Sequence, residues 1–122
     1  MIPKFRAWNT FHNKWVKHFY ITENGLIYNM EQPHRNLIGA VPIEQSGLVV
    51  MQSTGLFDVN GKEIFEGDVV RMHSGELLPV RLHHGMFEPV CYYVSSVFEK
   101  VGNIFENPEL TEHPDFREAT ND

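Results

Sequence analysis

Seven histidines are the first candidates for chemistry in this 122-residue sequence, because imidazole side chains bind metal ions and transfer protons. His83 and His84 are adjacent, and neighbouring side chains of a strand point to opposite faces, so these two cannot chelate one ion together. Only one of them could join His73, and two histidines fall short of the ligand set of a zinc site. The sequence therefore predicts no bound metal, and no motif in it predicts another cofactor.

Nucleophilic and acid–base catalysis find little support in the sequence. Cys91, the single cysteine, lies in the apolar, strand-like run 89–94, where a cysteine is typically a small buried hydrophobe. Glu63, Glu66 and Asp68 fit either a catalytic pair of carboxylates or a turn whose acids accept bonds from nearby backbone amides. We favour the turn, because the segment 66–68 links two strand-like runs, and we predict that the protein is not an enzyme.

Residues 68–84 predict a β-hairpin whose register follows from its apolar residues. Val70 and Met72 share one face of the first strand, and the second strand alternates in the same way at Leu78, Val80 and Leu82. Because a slip of one residue would turn one of these sets to water, Val70 is expected opposite Val80 and Met72 opposite Leu78.

This pairing leaves Ser74-Gly75-Glu76 as a three-residue loop, in which Gly75 provides the positive φ that such a loop needs. The other face of the hairpin then displays four basic or titratable residues, here called the basic ledge: Arg71, His73, Arg81 and His83. The basic ledge fits either a surface for a carboxylate-rich partner, such as the acidic tail of this or a neighbouring chain, or a set of ordinary solvated positions.

Charge is unevenly distributed along the chain, whose formal net charge is −6. Residues 1–22 contain four basic residues and no acid, a charge of +4, interleaved with six aromatic residues. This N-terminal strip fits either strands with aromatics inside and lysines in water, which we favour, or a stacking surface for single-stranded nucleic acid. Residues 106–122 contain six acids and one arginine, a charge of −5, so the two ends are oppositely charged.

Short strand-like runs separated by turns predict an all-β fold with few short helices. The predicted strands include a first hairpin of residues 4–8 and 14–20, then 25–30, an irregular edge at 37–43, and 47–52. Asp58-Val59-Asn60-Gly61 predicts a tight turn, and Gly102-Asn103 predicts a bulge entering the last strand. We expect one compact domain over 1–106, with a possible subdivision near 47–50, and an exposed acidic tail over 107–122.

Three segments resemble the signature blocks of one family: KFRAW at 4–8, MQSTGLFDVNGKEIFEGDVV at 51–70 and VGNIFENPEL at 101–110. The chain is thereby identified as a member of the YopX family, which is carried by bacteriophages and prophages and has no established activity. The resemblance implies an all-β architecture with an SH3-like barrel over 51–106. It supplies no catalytic residues.

The sequence leaves three classes of function. We favour a noncatalytic phage-type protein that binds another phage or host protein or assembles into a homo-oligomer, since short strands leave sheet edges open to pairing. The alternative is a nucleic-acid accessory protein that uses the N-terminal strip, and the third class is an enzyme whose site is dispersed in sequence. No apolar run approaches the roughly 20 residues that span a bilayer and no signal-peptide core is present, so we expect a cytoplasmic protein without membrane contact.

Overall fold

A computed structural model describes residues 3–31 and 39–118. They form two compact units: the N-terminal unit, Phe5–Met51, and the C-terminal unit, which comprises Lys4 and the residues from Gln52 onward. The regular elements of these residues are strands and 3-10 helices of three to five residues, so the prediction of an all-β fold is confirmed. In the same ranges no helix combines the length and the apolar character that crossing a membrane would require.

The N-terminal unit is built from short antiparallel strands. Its strands are β1 (Phe5–Asn9), β2 (Lys14–Val16), β3 (Phe19–Ile21), β4 (Leu26–Asn29), β5 (Val41–Pro42) and the first four residues of β6 (Leu48–Phe57). β1 and β2 form the predicted first hairpin, with Ala7 opposite Val16, and β4 lies between β3 and β5. Its core consists of Ala7, Val16, Ile27 and Leu48. Part of the predicted edge at 37–43 lies outside the described residues.

The aromatic residues of the N-terminal strip do not all face inward, so this expectation is wrong in part. Trp8 is buried, but Phe5 and Phe11 are exposed. Tyr20 is also exposed and stacks on Tyr28 across the β3–β4 pair, with ring centroids 5.3 Å apart. Strand alternation does not govern Phe11, because this residue lies in the loop between β1 and β2.

The predicted strand 14–20 is interrupted after β2. The backbone N–H groups of Lys17 and His18 donate to the carboxylate of Glu31, at 2.7 and 2.9 Å. These two amides therefore leave the strand ladder, and the face that points inward changes between β2 and β3. Burial raises the pKa of Glu31, but the two amides outweigh it and the pKa is lowered.

The C-terminal unit contains the rest of β6 and six further strands: β7 (Glu63–Phe65), β8 (Asp68–Met72), β9 (Leu77–Pro79), β10 (Arg81–His83), β11 (Met86–Glu88) and β12 (Phe98–Asn103). β6 pairs with β7, β10 pairs with β11, and β8 is the middle strand of a sheet with the order β12-β8-β9. The core of this unit consists of Ile64, Val70, Met72, Val80, Val90 and Phe98.

The hairpin of β8 and β9 is present, but its register differs from the prediction by two residues. Val70 lies opposite Leu78, not Val80, and the loop is 73–75. A three-residue loop needs its left-handed residue in the last position, and Gly75, with a φ of +100°, takes that position. A shift of two residues preserves the strand face, so Val70 and Val80 are both fully buried as expected.

The second predicted strand of this hairpin does not continue to His83. Val80 exchanges backbone hydrogen bonds with Gly67 and Asp68, and the chain then enters β10, which pairs with β11. Leu82, which the hairpin pattern placed in the core, is consequently 46% exposed, whereas Leu77 is fully buried.

One local prediction of turn chemistry is confirmed, and a second holds in part: the bulge is present, but it lies near the end of the last strand, β12, and not at its entry. Gly61 has a φ of +78° and donates its N–H to the Asp58 carbonyl at 2.9 Å, which closes the turn of 58–61. In β12 the pairing with β8 shifts between Lys100 and Gly102, so a bulge lies at the entry to the Gly102-Asn103 pair. Asn107 packs so closely on Gly102 that a Cβ there would meet its side-chain oxygen.

The run 89–94 is not a strand, and Cys91 is not buried, so both expectations are wrong. Val90–Tyr92 is a 3-10 helix, with the N–H of Tyr92 donating to the Pro89 carbonyl at 3.0 Å. In this turn Val90 points into the core and is fully buried, while Cys91 is exposed. The apolar composition of the run predicted a core residue at Cys91, and the core residue is its neighbour Val90.

Candidate functional site

The four residues of the basic ledge are not grouped by one strand pair, which corrects the pairing from which the ledge was predicted. Arg71 lies on β8 and His73 in the loop that follows it, whereas Arg81 and His83 lie on β10. The ledge required β8 and residues 81–83 to pair, but β10 pairs with β11 instead. The ledge is therefore distributed over two strand pairs, although Arg71 and Arg81 both contact the segment 115–118.

Arg81 and His83 border a cleft of the C-terminal unit with a volume of about 520 Å³. This cleft, here called the arginine cleft, is lined by Leu78, Pro79, Arg81, His83, Glu88, Pro89, Tyr92, Arg117 and Glu118. Its volume falls in the range typical of sites for small molecules or short peptide segments. The arginines and carboxylates lie around an apolar floor that includes two prolines.

Glu88 is the electrostatic centre of one wall of the arginine cleft. Its carboxylate accepts the Tyr92 hydroxyl at 2.6 Å and lies 3.4 Å from His83 Nδ1. The hydrogen bond to Glu88, with burial and the negative charge of that carboxylate, raises the pKa of Tyr92 to about 12. The phenol is therefore protonated at neutral pH and acts as a hydrogen-bond donor.

Cys91 is next to this wall in sequence, and its thiol is not activated. Burial and the charge of Glu88 raise its pKa above the ordinary value of 9.0. A reactive cysteine needs the opposite shift, because the thiolate is the nucleophile.

His83 and His84 do lie together, with ring centroids 3.8 Å apart, because His84 has a φ of +53° and leaves the strand that would separate them.

The other wall of the arginine cleft comes from the C-terminal segment. Glu118 pairs with Arg81 at 2.8 Å, and Asp115 pairs with Arg71 at 3.3 Å outside the cleft. Acids of the segment 113–118 thus pair with arginines of their own chain, which is one of the alternatives that the sequence left open for the basic ledge. The segment is preceded by the 3-10 helix Pro108–Glu112, the one helical element of the predicted tail among its described residues.

Of the three acids in the turn interpretation, Glu66 and Asp68 accept backbone N–H groups as predicted, whereas Glu63 bonds to side chains. Asp68 is fully buried, accepts the N–H of Phe65 at 2.7 Å and lies 3.2 Å from the ammonium of Lys100. Hydrogen bonds from Ser53 and Lys4 lower the pKa of Glu63. Across 3–31 and 39–118, no three histidine, cysteine, aspartate or glutamate side chains are grouped so that they could hold a metal ion.

The N-terminal unit offers a second surface of interest. The guanidinium of Arg6 lies 4.7 Å from the ring centroid of Trp15, and Trp8 meets Trp15 edge to face at 4.9 Å. The Tyr20–Tyr28 stack lies on the β3–β4 pair of the same unit. A cation next to an aromatic face and a stacked aromatic pair are features that the stacking alternative for the N-terminal strip requires.

Several residues of the arginine cleft carry no signal in the sequence. Glu88, Tyr92, Arg117 and Glu118 do not belong to any local motif, and Glu118 contacts Arg81 across a separation of 37 positions. The alternation around Arg81 and His83 pointed to two of its residues. The positions of the other lining residues depend on the path that the chain takes after β11 and after β12.

Comparison with known structures supports the fold. Protein EF1440 from Enterococcus faecalis is 27% identical, with a TM-score of 0.65 over 90% of this chain and 98% of that chain. The yopX protein of Bacillus subtilis is 18% identical, with a TM-score of 0.58 over 87% of this chain and 93% of that chain. No curated protein matches the sequence.

The comparison with family models places the signature blocks in one continuous match. The YopX protein model matches residues 4–112, which include all three segments that carried the resemblance. It also includes the strands β1–β12 and most of the residues that line the arginine cleft. The chain belongs to the YopX family.

Proposed function

We propose that this protein is a noncatalytic protein-binding protein of phage or prophage type, and that its binding site is the arginine cleft. The observation that carries the proposal is the cleft itself, in which Arg81 and Arg117 face an apolar floor beside the exposed ring of Tyr92. Arginine and tyrosine are the side chains that most often dominate binding energy at protein interfaces. The SH3-like barrel stays a prediction, and so does action in the cytoplasm of a bacterial host.

Two pKa shifts support binding rather than catalysis. Catalytic acids, bases and nucleophiles are tuned toward the operating pH. The pKa of Tyr92 is instead raised to about 12, and the pKa of Cys91 is raised above 9.0. The Tyr92 hydroxyl keeps its proton and donates it to Glu88, and neither pKa is shifted toward neutral pH as that of a catalytic base or nucleophile would be.

The chemistry of the arginine cleft suits a protein segment that carries a carboxylate next to an apolar side chain. The guanidinium of Arg81 already holds a carboxylate, that of Glu118, through Nε at 2.9 Å and Nη2 at 2.8 Å. Both nitrogens meet the same oxygen, Oε2 of Glu118, in a charge-assisted contact of the kind that arginine makes with carboxylates. Pro79 and Pro89 provide the apolar contact beside it.

Selection from a random dodecapeptide library displayed on phage tests this proposal. We expect the immobilised protein to enrich peptides that carry aspartate or glutamate near an aromatic residue. Arg81→Ala should reduce binding of the enriched peptides about tenfold or more, as expected for the loss of a desolvated charge pair. Lys17→Ala, which removes an exposed cation from the N-terminal unit, is the matched control. Equal binding to the Arg81→Ala variant would contradict the proposal.

A nucleic-acid accessory role is the second candidate, favoured by the Arg6–Trp15 contact and the exposed Tyr20–Tyr28 stack. Aromatic faces beside cations stack on single-stranded bases. Fluorescence anisotropy with an oligothymidine at low and moderate salt separates the two candidates, because binding through phosphates weakens steeply as salt rises. Salt-dependent binding that Tyr20→Ala abolishes would favour this candidate.

Self-association through the oppositely charged chain ends is a further prediction. Since residues 1–22 carry +4 and residues 106–122 carry −5, the tail of one copy can meet the N-terminal strip of another. We expect the mass from light scattering to rise with protein concentration at low salt. Exposed charges are screened over about 8 Å at physiological ionic strength, so salt should reverse the increase. A monomeric mass at high concentration and low salt would contradict it.

A further inference from the structure

The outer edge of β9 is occupied by the chain's own residues 115–118. The N–H of Leu77 donates to the Asp115 carbonyl at 2.9 Å, and the N–H of Arg117 donates to the Leu77 carbonyl at 2.9 Å. Phe116 lies beside Leu77 in a parallel bridge. This is the hydrogen-bond pattern by which an extended peptide adds to the edge of a sheet.

Two ion pairs flank this bridge. Asp115 meets Arg71 of β8 at 3.3 Å, and Glu118 meets Arg81 of β10 at 2.8 Å. Residues three positions apart in an extended chain are separated by about 10 Å, so one short segment spans both arginines. The edge of β9 therefore selects a pattern: two carboxylates at positions i and i+3, with a half-buried aromatic residue directly after the first.

The side-chain contacts that hold the segment are mostly open to solvent. The four side chains of the two ion pairs are 40–49% exposed. Phe116 is the single residue of 113–118 that is not exposed. Exposed ion pairs contribute little to stability, and they are screened by salt. A segment held in this way can be exchanged for another of the same chemistry.

We propose that the edge of β9, with Arg71 and Arg81, is a binding site for an extended acidic segment of a partner protein, which displaces residues 115–118. This inference rests on the proposed function and deepens it, because it names the mode of binding and the chemistry of the partner. The chain's own C-terminal segment is the resident occupant and competes with the partner.

A labelled peptide with the sequence of residues 113–118, His-Pro-Asp-Phe-Arg-Glu, tests the site in the full-length protein. The double variant Asp115→Asn/Glu118→Gln removes the charges of the resident segment and keeps its shape. If the resident segment occupies the site in about 90% of molecules, the apparent affinity of the wild type is reduced about tenfold. We therefore expect the peptide to bind the double variant about tenfold more tightly, by fluorescence anisotropy.

Two controls sharpen the experiment. The same peptide with asparagine and glutamine in place of its acids should bind about tenfold more weakly, and adding Arg71→Ala to the double variant should reduce binding of the acidic peptide. Hydrogen exchange, measured by NMR, provides a second readout: the Leu77 amide should exchange faster in the double variant and slow again when the peptide is added.

A folded double variant that does not bind the peptide, or binds it no better than the wild type does, would overturn the inference. If library peptides still bind in an Arg81-dependent way in that case, the arginine cleft stands as the binding site and only the strand-addition mode fails. If neither kind of peptide binds, the proposed function fails as well.

Discussion

The Val80→Asp variant is expected to lose the folded C-terminal unit. Val80 is fully buried in the core with Ile64, Val70 and Phe98, and aspartate would place an unpaired carboxylate there. Burying a charge without a partner and losing the apolar contacts together cost about 4 kcal/mol or more. The free energy of unfolding, measured by urea denaturation with circular dichroism, should fall by that amount.

Arg81→Asp is the matched control for this variant, because it introduces the same charge one position later. Arg81 is exposed, and its pair with Glu118 is solvated, so the loss should stay below about 1 kcal/mol. Similar losses for the two variants would mean that Val80 does not belong to the core. The difference between the two variants tests the break between β9 and β10, where the buried Val80 is followed directly by the exposed Arg81.

Asp58→Ala is expected to have the second largest effect on stability. The Asp58 carboxylate is 3% exposed and accepts backbone N–H groups of Asn60, Lys62 and Lys100, at 2.9, 2.8 and 2.8 Å. It thereby ties the turn of 58–61 to β12. Alanine leaves these donors without their acceptor, and each loss costs about 1 kcal/mol or more, so we expect about 3 kcal/mol in total. Urea denaturation measures the difference.

The same carboxylate makes stability depend on pH. Burial raises the pKa of Asp58, but the three backbone donors outweigh it, so the pKa in the folded state lies below the ordinary value of 3.8. The unfolded state then takes up its proton first as the pH falls. The contribution of Asp58 is present above about pH 4 and is lost as the pH falls through the lowered pKa.

Asp58→Asn separates this charge from the other acids. The pKa values of Glu31 and Glu63 are lowered too, so the whole protein loses stability in acid. The difference in unfolding free energy between wild type and Asp58→Asn isolates one group, and it should shrink as the pH falls below 4. A constant difference between pH 7 and pH 2.5 would contradict the assigned role.

Local chemistry was predictable from the sequence, and long-range chemistry was not. The turn at Asp58 and the bulge before Gly102 each depend on a few consecutive residues whose backbone needs are specific. The faces of Val70 and Val80 were also correct, since alternation fixes which face is buried. Alternation does not distinguish registers that differ by two residues. The register of this hairpin is set by Gly75, which must take the left-handed position of the loop.

The candidate site was predictable only in part for the same reason. Arg81 and His83 were identified from strand parity. The pairing that was expected to group them with Arg71 is absent, because after Pro79 the chain enters β10, which pairs with β11. Tyr92 entered the site because the run 89–94 turns as a 3-10 helix, which its strand-like composition concealed. Tertiary contacts decide in such segments, because short apolar runs fit more than one local structure.

The covered edge of β9 has a consequence for solubility. An uncovered sheet edge presents free N–H and C=O groups, which template pairing with other chains and lead to aggregation. Pro79 has no N–H to offer, and residues 115–117 satisfy both backbone groups of Leu77. Displacing that segment without replacing it would open an aggregation-prone edge in the C-terminal unit. A partner that takes its place would therefore also act as a chaperone for this protein, and in the uncomplexed protein the chain's own segment covers this edge.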